Sequence, residues 1–152
     1  MSKLIQRVHE AFSEVTLESD FATLILVRWS ARQRLLYYVS AGHETGYLAK
    51  PNGLIEELTP TGPILGLAAL SEWSEEHLGV KPGDRLILLT DGITEMLSPN
   101  GEAFGRDSLI KVINKFRKES IETFSEGLME AVVTFRDTEI QPDDITMLSV
   151  DL

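Results

Sequence analysis

Asp84-Arg85-Leu86-Ile87-Leu88-Leu89-Thr90-Asp91-Gly92-Ile93-Thr94-Glu95 is the stretch on which the reading of this sequence turns. Its run of aliphatic residues, Leu86 to Leu89, predicts a short buried strand that stops abruptly at Thr-Asp-Gly. A carboxylate at the end of a buried strand is held stiffly, and a neighbouring glycine lets backbone, water or a metal ion come close. Asp-Gly is equally a strong hairpin-turn signal. A returning strand would alternate apolar and polar residues, and Ile93-Thr94-Glu95-Met96-Leu97 does not. Asp91 is therefore a candidate metal ligand, with the turn reading still open beside it.

Working outward, 152 residues suffice for one domain with a real core. The hydrophobic share of 43% and charged share of 25% are those of an ordinary globular protein. With no cysteine there is no disulfide framework, no thiolate nucleophile and no cysteine zinc site. No apolar run reaches the length of a membrane span and no signal-peptide pattern opens the chain, so a cytoplasmic location is expected. A net charge of −10 argues against nucleic acid or an anionic membrane as partner, since both need basic patches. It suits a carboxylate cluster awaiting divalent cations, and equally a merely acidic surface.

Before the central stretch, Leu4, Ile5, Val8, Ala11, Phe12 and Val15 fall at helical spacing, with Ser2 as the expected N-cap. Phe21 to Trp29 reads as a strand buried on both faces, and Arg34 to Ser40 returns beside it. His43 follows Gly42 at a strand end, where a structural role outweighs a functional one. Thr45 to Lys50 and Leu54 to Leu58 flank Pro51-Asn52-Gly53, a hairpin turn. These four strands in succession predict an antiparallel meander. Thr59 to Leu67 is a Gly/Pro loop without phosphate-loop spacing, and Glu72 to Val80 is an ambiguous segment that admits a further strand.

After it, helices are expected from about Asp107 to Lys118 and from about Ser120 to Arg136, each with an apolar stripe. Glu139 to Pro142 should break the second. Asp143 and Asp144 then stand at the head of a terminal strand, Ile145 to Val150. Adjacent carboxylates repel unless a cation holds them. Hard oxygen donors without cysteine and with few histidines favour Mg2+ or Mn2+ over zinc. Two such ions can activate a water and neutralise phosphoryl oxygens together. From the residues alone, acids serving only as turns and caps of a plain α+β binding domain remain an alternative.

Phe21-Ala22-Thr23, Ala41-Gly42-His43, Leu65-Gly66, Pro82-Gly83-Asp84, Thr90-Asp91-Gly92-Ile93-Thr94-Glu95, Gly101-Glu102-Ala103-Phe104-Gly105 and Asp143-Asp144-Ile145-Thr146 occur in this order. Together they resemble the SpoIIE/RsbU branch of the metal-dependent (PPM-type, protein phosphatase 2C-like) serine/threonine phosphatases, over nearly the whole chain. The resemblance implies an α+β fold, an α-β-β-α sandwich of two antiparallel sheets flanked by helices. It also implies a dinuclear Mn2+ or Mg2+ site, in which Asp91 matches the family's Asp-Gly ligand and Asp143 the first acid of the C-terminal motif, with Asp144 its neighbour. The implied activity is hydrolysis of phosphoserine or phosphothreonine in a bacterial partner-switching pathway, by in-line attack of water without a covalent phospho-enzyme. The implied partner is a phosphorylated protein such as an anti-anti-sigma-type regulator.

The family's Gly-Asp-x-x-Asp strand and Asp-x-x-Gly-x-Gly segment do not occur in these residues. The resemblance thus leads one to expect a phosphatase domain spanning 1–152 and incomplete at its N-terminus. Part of the metal site would be missing and activity low, and an exposed sheet edge would favour homo-oligomers. A catalytically dead phosphatase-like module that regulates a partner protein is the alternative.

Overall fold

In the computed structural model the described residues are 1–17, 19–67, 71–136 and 144–152. In chain order they form α1 (Ser2–Val15), β1 (Leu24–Ser30), β2 (Leu35–Ala41), β3 (Gly46–Ala49), β4 (Ile55–Leu58), β5 (Glu76–Gly79) and β6 (Arg85–Leu89). After these come α2 (Asp91–Thr94), α3 (Gly105–Phe116), α4 (Ile121–Phe135) and β7 (Met147–Asp151). The expected α+β class, two antiparallel sheets with flanking helices, is the one found. The chain divides into two units, Met1–Thr45 with Leu58–Lys81, and Gly46–Glu57 with Pro82–Leu152.

The first unit is built on the sheet β1-β2-β5. β1 and β2 pair from Leu24↔Ala41 to Ser30↔Leu35, closing a hairpin, and β5 joins the other edge of β2. Helix α1 sends Ile5, Val8 and Phe12 into a core with Val39, Ala41, Leu65 and Trp73. The helix starts one residue earlier than expected: Ser2 is its first residue, and Met1 stands at the cap position. β1 is not buried on both faces, because it is an edge strand that has β2 as its one hydrogen-bonded neighbour among the described residues and leaves Arg28 and Trp29 exposed.

The predicted meander is overturned. The chain leaves the first sheet after β2, and β3 and β4 belong to a second sheet of order β4-β3-β6-β7 in the other unit. Local turn signals locate the β3–β4 hairpin, where Lys50 donates its amide to the Leu54 carbonyl at 2.8 Å, but say nothing of which sheet it joins. β6 is an inner strand of that sheet, antiparallel to β3 (Tyr47↔Ile87) and to β7 (Leu88↔Leu148). Ile87 and Leu89 enter a core with Ile93, Met96, Leu109, Ile113, Phe124, Leu128 and Val132. Leu86 is buried too, so the aliphatic run is covered on both faces as its sequence predicts. α3 and α4 carry the helical side of this core, and Ser120 caps α4 by accepting the Thr123 amide. The predicted helix break at Glu139 to Pro142 lies outside the described residues. Among the described residues no helix is long and apolar enough to cross a membrane.

Candidate functional site

β6 ends at Leu89, paired with Met147 of β7. Thr90 is still extended (φ −90°, ψ 159°), and at Asp91 the chain turns into α2, one helical turn and not a hairpin. The Asp91 carbonyl accepts the Glu95 amide at 2.8 Å and the Thr94 hydroxyl at 3.2 Å, so its backbone is fixed. Gly92 and Ile93 are buried, while Asp91 itself is exposed. Its carboxylate makes no hydrogen bond or ion pair among the described residues.

The C-terminal acidic segment comes to the same place. The Thr90 amide donates to the Thr146 carbonyl at 3.0 Å. The Thr90 hydroxyl donates to the Asp144 carbonyl at 2.9 Å and accepts the Thr146 amide at 2.9 Å. Asp91, one residue past Thr90, and Asp144 therefore flank a single hydrogen-bonded step between neighbouring strands, and Asp144 is exposed like Asp91. Asp143, the other predicted ligand, lies outside the described residues. Among the described residues no group of three His, Cys, Asp or Glu is placed to hold a metal ion. The donors that are placed suit a hard divalent cation, being oxygens alone, with one carboxylate solvent-facing at the end of a rigid strand.

The remaining motif residues hold the fold. In the first unit Ala22 and Leu65 exchange both backbone hydrogen bonds, at 3.2 and 2.9 Å. Gly42 has φ +59°, and a Cβ there would come within 2.2 Å of the Ile64 side chain, so the position needs glycine. His43 shares a hydrogen bond with Thr23 through Nδ1 at 3.0 Å, the structural role the sequence favours. In the second unit Asp84 is 1% exposed and bonds Lys50 Nζ at 2.8 Å. Lys50 reaches Glu56 as well, at 2.7 Å. Burial lowers the Lys50 pKa, but the bonds to Asp84 and Glu56 outweigh that and hold it above the ordinary lysine value. The residue that the sequence offered without a role is Thr90. Its signal was a hydroxyl set between an aliphatic strand and Asp-Gly.

All 152 residues match the family model for Stage II sporulation protein E (SpoIIE). Among curated proteins, Protein IcfG of Synechocystis sp. is 33% identical over 130 residues, 86% of this chain and 20% of that protein. Phosphoserine phosphatase RsbU of Bacillus subtilis is 23% identical over 148 residues, 97% of this chain and 44% of that protein. The chain thus spans less than half the length of either relative. The solved SiaA-PP2C domain of Pseudomonas aeruginosa superposes with a TM-score of 0.88 at 19% identity, covering 99% of this chain and 60% of that one. The catalytic domain of the serine/threonine phosphatase PstP, solved with two manganese ions, gives 0.71 at 16% identity, covering 99% and 69%. These likenesses fix the fold as that of PP2C-type phosphatase domains.

Proposed function

This chain belongs to the SpoIIE family, the RsbU-type branch of the PP2C-like phosphatases, and we propose that it is a metal-dependent domain hydrolysing phosphoserine or phosphothreonine on a partner protein in a bacterial signalling pathway. The observation that carries this reading is that the Thr90 hydrogen bonds bring the Asp144 backbone beside the residue preceding Asp91. An exposed carboxylate fixed at the end of a strand, with no partner among the described residues, is free to take up a cation. The likeness to the phosphoserine phosphatase RsbU supports a phosphoserine substrate, and the two manganese ions of PstP support Mn2+, with Mg2+ equally suited by the oxygen donors.

Asp91 is assigned as ligand through its carboxylate. Asp144 lies beside it, and Asp143 is assigned on the sequence motif alone. When bound, the metal supplies neutralisation of the phosphoryl oxygens and lowers the pKa of the attacking water. The ligand set of these 152 residues is partial, because no Gly-Asp-x-x-Asp motif occurs in them, so their turnover alone is expected to be weak. The second reading is a phosphatase-like module that binds a regulatory partner without hydrolysis.

Mn2+ titration with p-nitrophenyl phosphate and a phosphoserine peptide, on the chain and on Asp91→Asn, tests the proposal. Metal-dependent hydrolysis abolished in Asp91→Asn is the expected result. Metal-dependent hydrolysis indifferent to that change would falsify the assignment. A folded chain that binds the phosphopeptide and never hydrolyses it selects the second reading.

A further inference from the structure

At the end of β6 the chain must satisfy two demands on one residue. The next ladder step to β7 needs a donor and an acceptor from Thr90, while α2, which carries Asp91, needs the Thr90 carbonyl. The backbone divides accordingly: the Thr90 amide stays in the ladder on the Thr146 carbonyl, and the Thr90 carbonyl accepts the Ile93 amide at 3.3 Å. The ladder acceptor thereby lost to β7 is replaced by a side chain. Thr90 Oγ1 accepts a hydrogen bond from the Thr146 amide at 2.9 Å and donates one to the Asp144 carbonyl at 2.9 Å.

We propose that Thr90 is the positioning residue of the metal site, its hydroxyl clamping the Asp144 segment to the turn that presents Asp91. This rests on the metal-dependent reading above. The hydroxyl bonds backbone groups of the segment 144–146, donating to one and accepting from another, so its role is to hold that segment in place. The requirement is chemical: a carboxylate at 90 would accept but not donate, and valine, of the same shape, would do neither. Threonine adds stiffness about χ1 that serine lacks. Groups that orient metal ligands in this way change metal affinity by about 10–100-fold when removed.

The test uses the full 15N-labelled chain, with Mn2+ titrated while the Gly92 and Ile145 amide signals are followed for paramagnetic broadening, and with exchange of the Thr146 amide measured separately. Thr90→Val should need about 10–100-fold more Mn2+ for the same broadening and should speed Thr146 exchange, whereas Thr90→Ser should recover most of both. Asp91→Asn serves as the reference and should remove the broadening. If Asp91→Asn removes it while Thr90→Val titrates like the unchanged chain, the clamp is wrong and the phosphatase reading survives. If neither substitution moves the titration, or the unchanged chain shows no broadening, both are overturned. Equal losses in Thr90→Val and Thr90→Ser would also refute the clamp, since the hydroxyl would then not matter. Should Thr90→Val fail to fold, the unchanged chain decides: Thr146 is exposed, so slow exchange of its amide supports the bond and free exchange overturns it.

Discussion

Asp84 enters strand β6 and Asp91 leaves it; each adjoins a glycine, and each end of the strand is tied to the C-terminal segment, yet the two carboxylates are handled in opposite ways. At the entry, the Asp84 carbonyl accepts the Leu152 amide at 2.9 Å and its carboxylate is buried against Lys50. Arg85, next along, grips Asp151 through Nε and Nη2, the latter at 3.1 Å. At the exit, hydrogen bonding is just as dense through Thr90, but the Asp91 side chain is left in solvent. A charge buried beside its counter-ion belongs to the fold. A charge held rigidly and left without one is available to a ligand. Acid content alone does not separate these cases, and the motif Pro-Gly-Asp looks as chemical on the page as Thr-Asp-Gly.

Substitutions that disturb the two carboxylates should break different properties. The largest effect is expected at the exit: Asp91→Asn should lower Mn2+-dependent hydrolysis on the order of a thousandfold, as several kcal/mol of charge stabilisation is lost. It should leave stability within about 0.5 kcal/mol of the parent, as expected for an exposed position. Steady-state rates and urea denaturation on one preparation check both halves. At the entry the pattern reverses. Lys50→Met takes the cation from a buried carboxylate and should cost about 3 kcal/mol in urea denaturation, with the Mn2+ dependence of the folded fraction preserved.

A smaller effect sharpens the same contrast. The Lys50 pKa is raised in the folded chain, so the ion pair contributes its full stability below the ordinary lysine pKa of about 10.4. That contribution is lost as pH rises through the raised folded value, where the lysine deprotonates. Denaturation midpoints collected across this alkaline range should fall in the parent, and fall less in Lys50→Met. Asp91→Asn should follow the parent curve.

How much of this could be read in advance depended on the range of the force involved. The aliphatic run of β6, the periodic stripes of α3 and α4, and the Pro-Asn-Gly turn act over a few residues, and all are found where the sequence puts them. Sheet membership does not: β2 pairs with β5 and β3 with β6, and these non-local partners defeat an expectation of neighbour-to-neighbour pairing. β1 is as apolar as β6 but sits at an edge, so composition overstated its burial. The candidate site divides in the same manner. Asp91 was visible as a strand terminus, whereas its meeting with Asp144 needed the family resemblance, because nothing local links residues so far apart. Thr90 was hidden for a different reason: its role arises only when its carbonyl is drawn into α2 and its hydroxyl must stand in.

The proposed function turns on one geometric claim, that the acids at the exit of β6 and at the head of β7 share an ion. Anomalous diffraction at the manganese edge, from crystals of the chain equilibrated with Mn2+, measures that directly. The account predicts a peak bonded to the Asp91 carboxylate and lying against the Asp143-Asp144 segment, with none beside Asp84. A peak elsewhere, or an Asp91 carboxylate bare at saturating Mn2+, would contradict it.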